Sequence, residues 1–131
     1  MLVIPSSIFE ELLIHLKGEY PNEGCGVLLG KDGRVNEILK LTNVEKSPDS
    51  FQCDPYEQLA FLKRIDEEDI ELLCIYHSHP QGDCYPSQKD IRLAGFNCYY
   101  LIVLLKNLND PQAGLFSIED GKCVEEEFVI K

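Results

Sequence analysis

The chain has 131 residues, 44% of them hydrophobic and 27% charged, which suits one compact domain spanning residues 1–131 and excludes a disordered tail or a fibrous repeat. Twelve Lys and Arg against 23 Asp and Glu give a formal net charge of −11, a field that repels phosphate backbones and anionic lipid and argues against nucleic-acid and membrane partners. The longest apolar run, Tyr99 to Leu105, is far short of the roughly 20 residues of a spanning helix; no leader pattern precedes Pro5, so a cytoplasmic location is expected.

Ser7-Ile8-Phe9-Glu10 has the form of a capping box, and Ile8, Phe9, Leu12, Leu13 and Leu16 recur at helical spacing up to Gly18, predicting a first helix with one apolar stripe. Cys25 to Gly30 reads as a buried strand, Asp32-Gly33 as a turn, and Arg34 to Leu41 as the second strand of a hairpin. Residues 43–53 have the composition of a loop. Asp54-Pro55 then supplies an N-cap with Pro at the first helical position, for a helix running to about Glu67 with Leu59, Phe61, Leu62 and Ile65 toward a sheet and a solvated acidic exit at 66–69.

Ile70 to Tyr76 is the next expected strand, followed by a polar loop from His77 to Pro86 and a short helix from Ser87 to Gly95 with Ser87 as its N-cap. Tyr99–Leu105, Gly114–Glu119 and Lys122–Ile130 close the chain as strands, the last two joined across Asp120-Gly121. Strands interleaved with helices give an α/β fold, a mixed sheet with helices packed against it.

The six cysteines form no C-x-x-C pair and accompany no export signal, so they read as reduced, mostly buried thiols, with Cys25 packing in its strand. Cys84 lies in the loop after His79, where a disulfide or a thiolate at a metal is conceivable. His15, alone on the first helix, reads as structural.

His77 and His79 stand two apart in extended backbone, so their imidazoles project to the same side and can converge on one point. Asp90, three residues after Ser87 in the first turn of the short helix, could complete a set of two imidazoles and one carboxylate. Three protein ligands leave a position open for water, the arrangement of catalytic rather than structural zinc. Zinc suits imidazoles better than magnesium or calcium does, while iron, nickel or cobalt stay open. A water activated by a metal needs a proton acceptor, and Glu23 is one candidate among the acids.

His77-Ser78-His79, seven residues, Ser87, two residues and Asp90, preceded by Pro21-Asn22-Glu23-Gly24-Cys25-Gly26-Val27-Leu28-Leu29-Gly30, resembles the JAMM (MPN+) metalloprotease family over nearly the whole chain. The resemblance implies a cytidine-deaminase-like fold, a mixed sheet sandwiched by helices. It implies one zinc ion held by His77, His79 and Asp90, with Glu23 as general base toward the metal-bound water and Ser87 helping to hold the tetrahedral intermediate. It further implies hydrolysis of a peptide or isopeptide bond after the Gly-Gly end of a ubiquitin-like or sulfur-carrier protein, with the tail extended along a sheet edge near the metal. No position of the motif is substituted. The alternatives are a non-catalytic MPN-type scaffold, against which the intact Glu23 and Ser87 argue, and a zinc deaminase, which would need a P-C-x-x-C segment that this chain lacks. A homodimer is left open.

Overall fold

The computed structural model describes residues 1–131. In chain order its elements are β1 (Leu2–Ile4), α1 (Ser6–Glu19), β2 (Cys25–Lys31), β3 (Arg34–Leu41), α2 (Pro55–Glu67), β4 (Glu71–His79), α3 (Gln88–Leu93), β5 (Tyr99–Leu104), β6 (Gln112–Glu119), β7 (Lys122–Glu126) and β8 (Phe128–Ile130). The strands form one mixed sheet in the order β7-β6-β5-β4-β2-β3-β1-β8. The β1–β3, β1–β8 and β4–β5 pairs are parallel and the others antiparallel. β7 and β8 are separated by Glu127 alone yet stand at opposite ends of that order. A one-residue link spans no more than about 7 Å, so the sheet curls until its two ends meet.

Side-chain alternation sorts the apolar residues onto two faces. Leu28, Tyr76, Leu101, Val103 and Leu115 pack with Leu2 and Ile4 around Leu12 and Leu16 of α1. Val27, Leu29, Ile75 and Tyr100 pack on the opposite face beneath Phe61 of α2. With both faces covered, β2 and β5 read in sequence as unbroken apolar runs. Leu12 and Leu16 are fully buried, and each such side chain contributes about 1.5–3 kcal/mol relative to exposure. α2 is fastened to the sheet edgewise, where the Arg64 guanidinium donates to both carboxylate oxygens of Glu37 at 2.6 and 2.8 Å.

Tyr76 crosses the strand beside it to reach α1. Its hydroxyl is hydrogen-bonded to His15 Nδ1 at 2.7 Å, and a Cβ on Gly26 would lie 2.2–2.4 Å from the Tyr76 hydroxyl and ring. Burial pushes the Tyr76 hydroxyl up and His15 down from their ordinary pKa values, so both are neutral and the bond is a structural one, as expected for a solitary helix histidine.

Four expectations are corrected. The capping box at Ser7–Glu10 does not form, because residues 2–4 become β1 and deliver the chain to α1 through Pro5, with no side-chain cap; Ser6 N–H is taken by the Lys131 carbonyl instead. Leu59 does not face the sheet and is 65% exposed; Phe61, Leu62 and Ile65 make that contact. β4 runs to His79 rather than stopping at Tyr76, since β5 pairs with it as far as His79 and Gly24 as far as Ser78. The expected strand 122–130 breaks at Glu127, its last three residues pairing with β1 at the other end of the sheet. No helix is long and apolar enough to cross a membrane.

Replacing Gly26 by Ala forces Tyr76 off its path to His15, and overpacking of this kind costs about 1–3 kcal/mol. A lower urea midpoint at unchanged m-value would register it; an unchanged midpoint would show that Tyr76 can move at no cost.

Candidate metal centre and active site

His77 and His79 continue the row of Ile75 along β4, so both imidazoles emerge on the α2 face of the sheet near the carboxyl end of the strand. From there the chain passes through a turn to Ser87, which caps α3. Ser87 Oγ accepts from Asp90 N–H at 3.0 Å, and Asp90 Oδ2 accepts from Ser87 N–H at 2.8 Å, a reciprocal box that fixes the Asp90 carboxylate. Asp90 Oδ2 then lies 3.1 Å from His79 Nε2 and 3.5 Å from His77 Nε2. The three side chains offer one ligand atom each, all within 4.8 Å of one another.

The hydrogen bonding determines what this cluster can hold. His79 Nδ1 lies 3.0 Å from the Asp83 carbonyl oxygen. A carbonyl only accepts, so Nδ1 carries the hydrogen and Nε2 of the neutral ring presents a lone pair to Asp90 Oδ2. Two acceptors at 3.1 Å require a cation between them. Without a metal that cation is a proton: burial works against a charged His79, but the hydrogen bonds to Asp90 and to the Asp83 carbonyl, with the charges of Asp90 and Glu23, raise its pKa. For Asp90, burial acts upward, yet the hydrogen bond from His79, the charge of His77 and the Ser87 N–H hold it well below the usual carboxylate range. Two imidazoles, one of them oriented by a carbonyl, and one carboxylate form a donor set that fits a divalent metal.

Glu23 comes from the segment just before β2. It is 4% exposed, and its Oε1 lies 3.6 Å from His77 Nδ1 with no hydrogen-bond partner for either atom. A buried polar atom left unpaired costs about 1–3 kcal/mol, so this carboxylate is held where folding alone gains nothing from it. Its backbone is held from two sides. Glu23 N–H donates to the Ser47 carbonyl at 2.8 Å and Asn43 Nδ2 donates to the Glu23 carbonyl at 3.0 Å. Gly24 N–H donates to Ser78 Oγ at 2.9 Å, and Ser78 N–H to the Gly24 carbonyl at 3.1 Å. Sequence reasoning missed Ser78 and Asn43. The signal for Ser78 was its place between the histidines, which sends its side chain to the opposite face.

The Phe51 ring packs against His77 with centroids 4.5 Å apart, and beside them lies a cavity of about 170 Å³ lined by Phe51, Ile75, Phe96 and Tyr100, with His77 and Asp90 in its wall. All six cysteines are free thiols. Cys84 donates its S–H to the Ile102 carbonyl at 3.4 Å, so no disulfide fixes its loop, and Cys25 is buried in the core as expected. β4 is flanked by β5 as far as His79 and by β2 with Gly24 as far as Ser78.

A family profile described as prokaryotic homologs of the JAB domain matches residues 5–118. The chain belongs to that family. This JAB chain is 32% identical over 129 residues to the CysO-cysteine peptidase of Mycobacterium tuberculosis, covering 96% of this chain and 88% of that protein. It is 39% identical over 103 residues to a probable TtuB-protein conjugate cleaving protease of Thermus thermophilus, covering 78% and 69%. With the desampylase of Pyrococcus furiosus the identity is 31% over 130 residues, covering 99% and 91%. The solution structure of a Desulfitobacterium hafniense protein superposes with a TM-score of 0.88 at 35% identity, over 100% of this chain and 93% of that one. A structure described as the JAMM metalloprotease-like zinc site in the proteasome and signalosome shares the fold, with a TM-score of 0.63 at 20% identity over 100% and 98%. The JAB chain is thus a hydrolase of the JAB-domain family with the α/β fold expected from its sequence.

The pKa shifts set a pH dependence for the metal-free protein. The raised pKa of His79 gives stability that is fully present below about 6.5 and lost as pH rises through the raised value; the depressed Asp90 gives stability present above about 3.9 and lost as pH falls through its lowered value. Below the raised pKa of His79 a metal has to displace the proton shared by His79 and Asp90, so over that range its affinity rises with pH and binding releases protons. Calorimetric titration with Zn²⁺ in two buffers of different ionisation enthalpy reads that release; equal heats would contradict the shared proton.

Proposed function

We propose that the JAB chain is a zinc-dependent peptidase or isopeptidase that hydrolyses the bond following the C-terminal Gly-Gly of a ubiquitin-like or sulfur-carrier protein. The observation that carries the reading is the Glu23 carboxylate, buried and unpartnered beside the ring of His77. His77, His79 and Asp90 would hold one zinc ion per chain. Zinc held by three protein ligands supplies Lewis acidity and lowers the pKa of its water toward about 7.

The protein groups then have separate tasks. Glu23 accepts a proton as the new C–O bond forms and delivers it to the leaving nitrogen as the C–N bond breaks, so the amine departs neutral. Its burial strengthens this role, because few waters compete for the carboxylate. Ser87 Oγ is fixed as an acceptor by the Asp90 N–H, which leaves its O–H free to donate to the developing oxyanion. Asp90 joins the metal set and the α3 cap in one carboxylate. Names among its relatives support the substrate class: a peptidase acting on CysO-cysteine, a protease of TtuB conjugates and a desampylase.

A Gly-Gly-ending sulfur-carrier protein extended by a short C-terminal peptide serves as the probe, read by mass spectrometry. Cleavage after Gly-Gly is expected from the zinc-loaded wild type, with loss on chelation and recovery on adding zinc. Glu23→Gln should keep about one zinc per chain and lose roughly 10²- to 10⁴-fold in kcat. Undiminished cleavage by Glu23→Gln would remove Glu23 from the mechanism, and zinc binding without cleavage by the wild type would favour a scaffold.

A further inference from the structure

The loop at residues 43–53 is organised around one side chain. Asn43 is 6% exposed, and its amide has two N–H donors and two acceptor lone pairs. Oδ1 accepts from Glu45 N–H at 3.0 Å and from Gln52 N–H at 3.1 Å. Nδ2 donates to the Ser50 carbonyl at 3.1 Å and to the Glu23 carbonyl at 3.0 Å. Every capacity of the amide is used, three within the loop and one on the residue whose carboxylate faces His77.

The same loop reaches the site twice more. The Ser47 carbonyl accepts the Glu23 N–H, and Phe51 lies on the ring of His77. Both polar main-chain groups of Glu23 therefore belong to the loop, while both of Gly24 belong to Ser78 on β4. The Glu23 side chain has no hydrogen bond of its own through Oε1, so the position of that atom is inherited from its backbone. A carboxylate that must meet a reacting proton loses efficiency steeply when displaced, by as much as about 100-fold for an error near 1 Å.

We infer that Asn43 is a positioning residue for Glu23, fixing the 43–53 loop and the backbone of the general base as one unit and so setting where the carboxylate stands over the metal ligands. The inference rests on the reading of Glu23 as the base. No simple replacement reproduces the arrangement: Asp keeps the acceptors for Glu45 and Gln52 but has no donors, and Ser has a single donor.

Asn43→Asp, which keeps the acceptors for Glu45 and Gln52 and loses the donations to Ser50 and Glu23, and Asn43→Ala are compared with wild type and placed also on Glu23→Gln, all loaded with zinc and assayed on the extended carrier protein. Asn43→Asp is expected to lower kcat roughly 10- to 100-fold with KM within about twofold and zinc content unchanged. Hydrogen exchange should quicken at the Glu23 amide, which the loop holds, and stay slow at the Gly24 amide, which Ser78 holds. On the Glu23→Gln background neither substitution should reduce the residual rate further, because the base is already gone. A wild-type kcat in folded Asn43→Asp, with only a lower melting temperature, would make Asn43 a loop scaffold and overturn the inference. So would a full additional loss on the Glu23→Gln background. Undiminished turnover in Glu23→Gln alone is a different failure, that of the general-base reading; the proposed positioning role of Asn43 in turnover falls with it, and the exchange rate at Glu23 still reports whether the amide clamps that backbone.

Discussion

Cys25 stands opposite His77 in the antiparallel ladder of β2 and β4, and that register underlies the site. It sets Ser78 beside Gly24 and so brings Glu23, the residue before, to the level of the two histidines. A slip of one residue would turn the histidines to the α1 face and Ser78 to the α2 face. The register is guarded from both sides of the sheet. Tyr76 fits only over Gly26, the one position across from it without a Cβ, and Val27, Leu29 and Ile75 match the underside of α2.

Within that frame the site concentrates opposed needs. Buried acids are costly unless paired, yet Glu23 and Asp90 converge on His77 and His79 in a chain whose net charge is −11. Asp90 is compensated by His79 and by the first turn of α3, and its pKa falls accordingly. Glu23 has no comparable partner for Oε1. One carboxylate is thus tied to both histidines and the other is held near them without a hydrogen bond, the division of labour that the proposed ligand and proton acceptor require.

Much of this was legible. Apolar periodicity gave both long helices, the Asp54 and Ser87 caps gave the starts of α2 and α3, and turn residues gave the hairpin and the loop at 43–53, because each is fixed by neighbours within a few residues. The spacing of His77, His79, Ser87 and Asp90 pointed to one cluster, since a strand end and the first turn of a helix leave few ways to place them. Glu23 was reached through family resemblance, as 23 acids offer no local mark to distinguish one. Leu59 was misplaced because a helical stripe is broad and only the docked sheet says which part of it is covered.

The sequence by itself determined the α/β class, the order of its main elements and the residue types of a two-imidazole, one-carboxylate centre, all carried by short-range pattern and side-chain chemistry. Tertiary structure alone decided that residues 128–130 leave β7 and close the sheet against β1, that β5 flanks β4 as far as His79 and β2 with Gly24 as far as Ser78, and that Asn43 and Ser78 grip the backbone of Glu23 and Gly24 from two directions. Those features join residues 20 to more than 100 positions apart, and no local preference encodes such pairings; they follow from which surfaces can be buried together once the sheet has curled.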